Sequence, residues 1–293
     1  MYRLEQVRQA LRNPRKAFTE LNRRYYGRHG TDYNPNGIDV FEEDWDNLIL
    51  LDACQFEEFE RATTIPGTLQ SRISRGSTSA EFIKGNFSDR QLHDVVYVSA
   101  NGWFPKLKAE LDTEIHDFVL VERDAVNQLT SRPETVTDRA IEVAAEYPNK
   151  RLIVHYMQPH QPYLGPAGKR MEFGSTLAET VEKNDLSRRD ARQAYRENLE
   201  LAFAAVERLQ KSLTGKTVIS SDHGEHLGEH ERPIPVRFFG HMDSLYTDEL
   251  VTVPWHVLEH TTRRRIVPEE PVTEHDIDIR AVEQNLRDLG YRV

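Results

Sequence analysis

"KTVISSDHGEH" (residues 216–226) passes from an apolar run straight into two carboxylates and two imidazoles, and its reading decides the fold. A short run rich in Val, Ile and Leu and closed by polar residues is the pattern of a strand buried on both faces. Charges are rarely buried without partners, so Asp222, His223, Glu225 and His226 read either as a solvated turn or as one half of a metal site. Four runs share the strand pattern: "NLILL" (47–51), "VVYVS" (95–99), "RLIVH" (151–155) and "TVISS" (217–221). Helical patterns precede the last two, over 132–147 with Pro133 near the start and over 187–213 with Leu199, Phe203, Val206 and Leu209 on one stripe. This alternation predicts an α/β, doubly wound fold with a mostly parallel central sheet and helices on both faces.

In such a sheet the carboxyl ends of the strands line one crevice, where residues distant in sequence meet. "NLILLD" ends in Asp52, "RLIVH" in His155, and the fourth strand in Asp222 and His223. An Asp and an Asp-His pair at equivalent strand ends suit a divalent cation, Mn, Zn or Mg. "GSTS" (76–79) opens a helix, with Thr78 and Glu81 in the spacing of a capping box, and offers hydroxyls beside free backbone N–H groups that favour an anion. A hydroxyl is a poor nucleophile until a metal lowers its pKa, so Ser77 or Thr78 is the candidate nucleophile. If Thr78 caps the helix, Ser77 is the freer of the two. His155, His160 and His241 could hold a second cation, or bind and protonate the transferred group.

The chain has 293 residues, a formal net charge of -10 and one cysteine, Cys54, so it is acidic and has no intrachain disulfide. An acidic surface disfavours nucleic acid as a partner. No signal-peptide core or membrane-span length is found in the sequence, and together with the single cysteine this predicts a cytoplasmic location. Residues 1–30 form a basic helical segment ahead of one α/β domain over 31–293. That segment reads as a terminal helix docked on the body in preference to one lying on an anionic membrane, a peripheral contact its Leu4, Val7 and Leu11 would permit. The polar stretch 164–190 reads as a loop or lid.

The order "LLDAC", "GSTSAEF", "HYMQPHQPY", "SDHGE" and "GH" ahead of "VPW" resembles the alkaline phosphatase and sulfatase superfamily over about residues 45–258, in particular its sulfatase-like branch with the phosphoglycerol transferases. The resemblance implies Asp52, Asp222 and His223 as metal ligands, a hydroxyl completing their shell, a covalent intermediate, and His160 and His241 against the transferred group. It implies a hydrolase or transferase of phosphate or sulfate esters carried on a glycan or lipid. A non-catalytic interaction protein that kept the fold is the alternative. Two departures stand out. Neither Cys54 nor Ser77 lies in a formylglycine context, which disfavours sulfate esters, and His155 and His160 are five apart where two-zinc members space an Asp and a His by four.

Overall fold

The computed structural model describes residues 14–272 and 277–289, so the first part of the basic N-terminal segment lies outside the described residues. Helix α1 spans Pro14–Tyr26 and is followed by strand β1 at Asn47–Leu51, α2 at Phe56–Ala62 and β2 at Thr68–Ile73. Next come α3 (Ser79–Phe87), β3 (Gln91–Ser99), α4 (Trp103–Leu111) and β4 (Glu114–Leu120). The chain continues through α5 (Pro133–Glu146), β5 (Arg151–Tyr156), α6 (Leu177–Lys183), α7 (Arg188–Gln210) and β6 (Thr217–Ser220). It closes with β7 (His226–His230), β8 (Arg237–Gly240), α8 (Asp248–Val251), β9 (Thr252–Val257) and α9 (Ile279–Asp288).

Seven strands form one sheet in the order β2-β9-β6-β1-β5-β3-β4, and β7 pairs with β8 in a separate hairpin. β1 runs parallel to β5 and β6, and β3 runs parallel to β5 and β4. Only β9 opposes its neighbours β2 and β6, so the sheet is mixed and mostly parallel, as the alternating pattern predicts. Successive side chains of a strand face opposite ways, and β1 shows the result. Ile49 and Leu51 enter one core with Val136 of α5 and Leu199 of α7, while Leu48 and Leu50 enter the other with Phe87 of α3 and Phe104 of α4. A strand with a core on each face has no polar side to show, which is why it reads as a continuous apolar run.

Three strands escape that signature. β2 and β4 are the sheet's outer strands, and β2 is largely exposed or half-buried. β9 contains Pro254, which argues against an internal strand. It is accommodated because β9 meets β6 only at His256 and Val257, beyond the proline. The stretch 164–190 also differs from the open loop expected of it. It folds into α6 and the start of α7, and α6 is capped by Thr176, whose Oγ1 accepts the Glu179 N–H at 3.2 Å. Helix α1 docks on the body through Glu231, a buried carboxylate that takes hydrogen bonds of 2.7 Å from both Thr19 and Asn22.

Leu199 is fully buried where α7 meets the sheet. Leu199→Ala is expected to destabilise the fold by about 2–5 kcal/mol, read as a shift of the urea unfolding midpoint at unchanged slope.

Candidate active site

Strands β1, β3, β5 and β6 are in parallel register, with Leu51 opposite Tyr156, Leu50 opposite Ser220 and Ser99 opposite His155. Their carboxyl ends therefore reach one crevice, and Asp52, Asn101, His155 and Asp222 arrive there from four strands. Asp52 Oδ1 or Oδ2, an Asp222 oxygen and a His223 ring nitrogen lie within 4.8 Å of one another, all in fully buried residues. The separate sequence signals of Asp52, Asp222 and His223 thus converge on one place.

Each carboxylate is held by one oxygen and leaves the other bare. Asp222 Oδ1 accepts the N–H groups of Ala53 (3.1 Å) and His223 (2.9 Å). Ala53 reaches it because φ of 59° turns the chain sharply after Asp52, a left-handed conformation that costs a non-glycine residue energy and is typical of functional turns. Asp52 Oδ2 accepts from Asn101 Nδ2 at 2.8 Å. Asp52 Oδ1, Asp222 Oδ2 and His155 Nε2 are buried with no hydrogen-bond partner in the chain. His223 Nδ1 lies 2.8 Å from the Gly224 carbonyl, which can only accept, so that nitrogen carries the proton and Nε2 presents a lone pair. Nε2 stands 3.6 Å from both Asp52 Oδ1 and Asp222 Oδ2. Acceptor atoms facing one another in a buried space repel, and a divalent cation between them turns that repulsion into coordination. The donor set, hard oxygens and an imidazole, fits such an ion.

The carboxyl acidities express the same crowding. Burial, and next the charge of Asp222, push Asp52 well above the usual carboxylate range. For Asp222 burial acts upward but is outweighed by His223 and His155, and its carboxyl is held low. His155 borders the cluster, its Nε2 3.5 Å from Asp222 Oδ2 and its Nδ1 2.8 Å from the buried Tyr97 hydroxyl. It therefore stands beside the first group and does not pair with His160 in a second one.

The second group is His160, Glu225 and His241, whose ligand atoms also lie within 4.8 Å of one another. His160 is placed from β5, since its N–H donates to the Asp52 carbonyl at 3.2 Å. The hairpin register sets His226 opposite Gly240, and this brings His241 over Glu225, with Nδ1 3.0 Å from Oε1. Glu225 accordingly supports His241 and not His223. Burial lowers both His160 and His241 to about 4, with the two rings also disfavouring each other's charge at His160, and burial raises Glu225 to about 7. The groups adjoin, with the His223 and His241 ring centres 4.4 Å apart. His226 is neither in a solvated turn nor in either group: it is buried in β7 with Nε2 2.8 Å from Thr247 Oγ1.

The hydroxyls require a correction. Ser77 Oγ lies 2.8 Å from Glu81 Oε2 and 2.9 Å from the Met242 carbonyl, and Thr78 Oγ1 caps α3 and donates to Asp243 Oδ1 at 3.0 Å. Both are committed away from the cluster. Ser79, the first residue of α3, is fully buried with Oγ 3.5 Å from His223 Nε2 and 3.0 Å from Asn101 Nδ2. The capping spacing correctly finds Thr78. The residue that the cap presents to the crevice is the next one in the helix, not the one before. Asn101 caps the turn after β3 by accepting the Trp103 N–H at 2.9 Å, and it also spans Asp52 and Ser79. Its place just after β3 was the available signal. Gly76 closes the turn so tightly that a Cβ there would meet Phe82 N and Thr78 O at 2.5 Å.

The seven-stranded, mostly parallel sheet flanked by helices is an alkaline phosphatase/sulfatase-like fold. The C-terminal periplasmic domain of EptC from Escherichia coli, solved in complex with Zn, aligns with a TM-score of 0.51 and 13% identity over 73% of this chain and 72% of that one. The soluble domain of lipooligosaccharide phosphoethanolamine transferase A from Neisseria meningitidis aligns at 0.47 and 14% identity, over 72% of this chain and 75% of that one. A 2-O GAG sulfatase aligns at 0.44 and 12% identity, over 77% and 65%. No protein-family model and no curated protein matches the sequence. The cytoplasmic expectation is corrected by this comparison, because the EptC structure is a periplasmic domain. A lone buried cysteine excludes an intrachain disulfide but does not name a compartment.

Two substitutions grade the first group. Asn101→Ala, which removes the outer partner of Asp52, is expected to weaken metal binding about 10–100-fold, and Asp222→Asn by more, both read by chelator competition. Gly76→Ala is expected to displace Ser79 and to lower ester turnover with metal affinity nearly retained, a split that titration and rate measurements on one sample resolve.

Proposed function

We propose that the chain is a divalent-metal-dependent transferase or hydrolase of phosphate esters, sulfate esters being the lesser class, with Ser79 as nucleophile. One observation carries this reading: bare carboxylate oxygens of Asp52 and Asp222 and the lone pair of His223 Nε2 meet beside the Ser79 hydroxyl, with His155 Nε2 at their border. Asp52, Asp222 and His223 would hold a Mn, Zn or Mg ion that lowers the hydroxyl's pKa and withdraws charge from the transferred group.

Ser79 Oγ attacks phosphorus in line with the leaving oxygen. The Oγ–P bond forms, the P–O bond to the alcohol breaks, the serine proton is released and the departing alkoxide takes one up. Water or a second alcohol then reverses the sequence at the phosphoserine. Asn101 orients both Asp52 and Ser79. His160 and His241 are neutral near pH 7, so each presents one N–H to a phosphoryl oxygen or one lone pair to a second cation, in company with Glu225. The preference for phosphate is supported by the surroundings of Ser79. It is followed by Ala80 and Glu81, outside any formylglycine context, and Cys54 is fully buried. The alcohol half of the substrate is a glycan or lipid in this reading.

The test is turnover of aryl phosphate mono- and diesters by chelated protein resupplied with Mn, Zn or Mg. Ser79→Ala is expected to lose about a thousandfold or more, whereas Ser77→Ala and Thr78→Val keep a measurable rate. Undiminished activity in Ser79→Ala, or full activity without metal, would overturn the assignment.

A further inference from the structure

Four large apolar side chains are exposed among the described residues, and three of them, Phe18, Leu21 and Tyr25, lie on α1. Their spacing of three and four places them on one stripe of that helix. The stripe is adjacent to the one that docks, since Thr19 and Asn22 turn inward to Glu231. Exposed apolar residues are ordinary when scattered but informative when aligned. A cavity of about 540 Å³ opens beside Phe18, walled by Pro235, Val236 and Arg237, and continues the apolar face toward the hairpin.

Charge identifies what covers this face. Residues 1–28 contain eight Lys or Arg and two Glu, a net of +6, in a chain whose formal charge is -10. The acidic Glu20 is taken up by Arg23 and Arg24, while the Arg28 guanidinium sits 4.2 Å from the Tyr25 ring centre, at the border of the stripe. In the sequence before α1, Leu4, Val7 and Leu11 repeat the spacing of Phe18, Leu21 and Tyr25. A second copy of this chain would bring two segments of the same charge together, which is unfavourable. An anionic bilayer accepts both the cations and the apolar stripe, and it repels the acidic body, which orients the molecule with α1 against the surface.

We propose that α1 docks the protein on the surface of an anionic lipid bilayer through Phe18, Leu21 and Tyr25, lying in the interface without crossing it. Among the described residues no helix is long and apolar enough to span a membrane. The C-terminal end of α1 lies near the site, since the Tyr26 and Tyr246 rings are 6.3 Å apart and Tyr246 is in the segment that follows His241.

The experiment sediments the full chain with vesicles of phosphatidylcholine and phosphatidylglycerol in equal parts, and with phosphatidylcholine alone. The protein is expected to partition onto the anionic vesicles, to do so less at raised salt, and to stay in solution with the neutral ones. The double variant Leu21→Glu with Tyr25→Glu is expected to lose at least about tenfold in partitioning, with thermal unfolding and aryl ester turnover unchanged. Failure of the wild type to bind anionic vesicles at low salt would overturn the proposal, as would equal binding by the double variant. A vesicle-free dimer that the double variant dissolves into monomers would assign the face to a second copy instead.

Discussion

Mutual repulsion among buried acceptor atoms is the constraint on which this molecule turns. Two carboxylate oxygens and the His223 imidazole nitrogen are held in one buried crevice with His155 at its border, and several backbone contacts keep them there. Ala53 adopts a left-handed turn, Asp222 is gripped by two N–H groups, and His223 is locked in one tautomer by the Gly224 carbonyl. A fold optimised for its own stability alone would pair or neutralise these groups. Their preservation is intelligible as preorganisation for positive charge.

The rest of the architecture serves that arrangement. A parallel sheet with a core on each face fixes the register of β1, β3, β5 and β6 to within a residue, because a slip would bring a side chain of one core into the other. Register fixes which side chains overhang the edge. The hydroxyl is supplied separately by the tight turn at Gly76, where Thr78 satisfies the start of α3 and leaves Ser79 directed at His223. Ser77 and Glu81 anchor the same turn to the segment after His241, through the Met242 carbonyl and the Ser244 N–H. The turn that carries Ser79 and the group of His160, Glu225 and His241 are thereby tied to each other.

How far the sequence discloses this depends on burial. Strands with a core on each side announce themselves, and with them Asp52, Asp222 and His223, whose positions follow from where an apolar run stops. β2 is largely exposed or half-buried, β4 has His116 and Asp117 interrupting its apolar run, and β9 is masked by Pro254, so none of the three stands out. His241 and Glu225 meet only through hairpin pairing, which no local pattern reveals, whereas the place of His155 beside the first group follows from its strand end. Ser79 lies two residues beyond Ser77, the choice that sequence supports. A cap specifies the residue that terminates the helix, while the direction of its neighbours depends on a backbone path that spacing does not encode.

The two ligand groups have different foundations. The first is built into the ends of the central sheet, whereas Glu225 and His241 are carried at the mouth of the β7–β8 hairpin, outside it. Evolution can therefore redraw the hairpin by insertion, deletion or replacement without disturbing the register that assembles the first group. The sheet edge stays put while the hairpin is free to vary, so the two groups can change independently of each other.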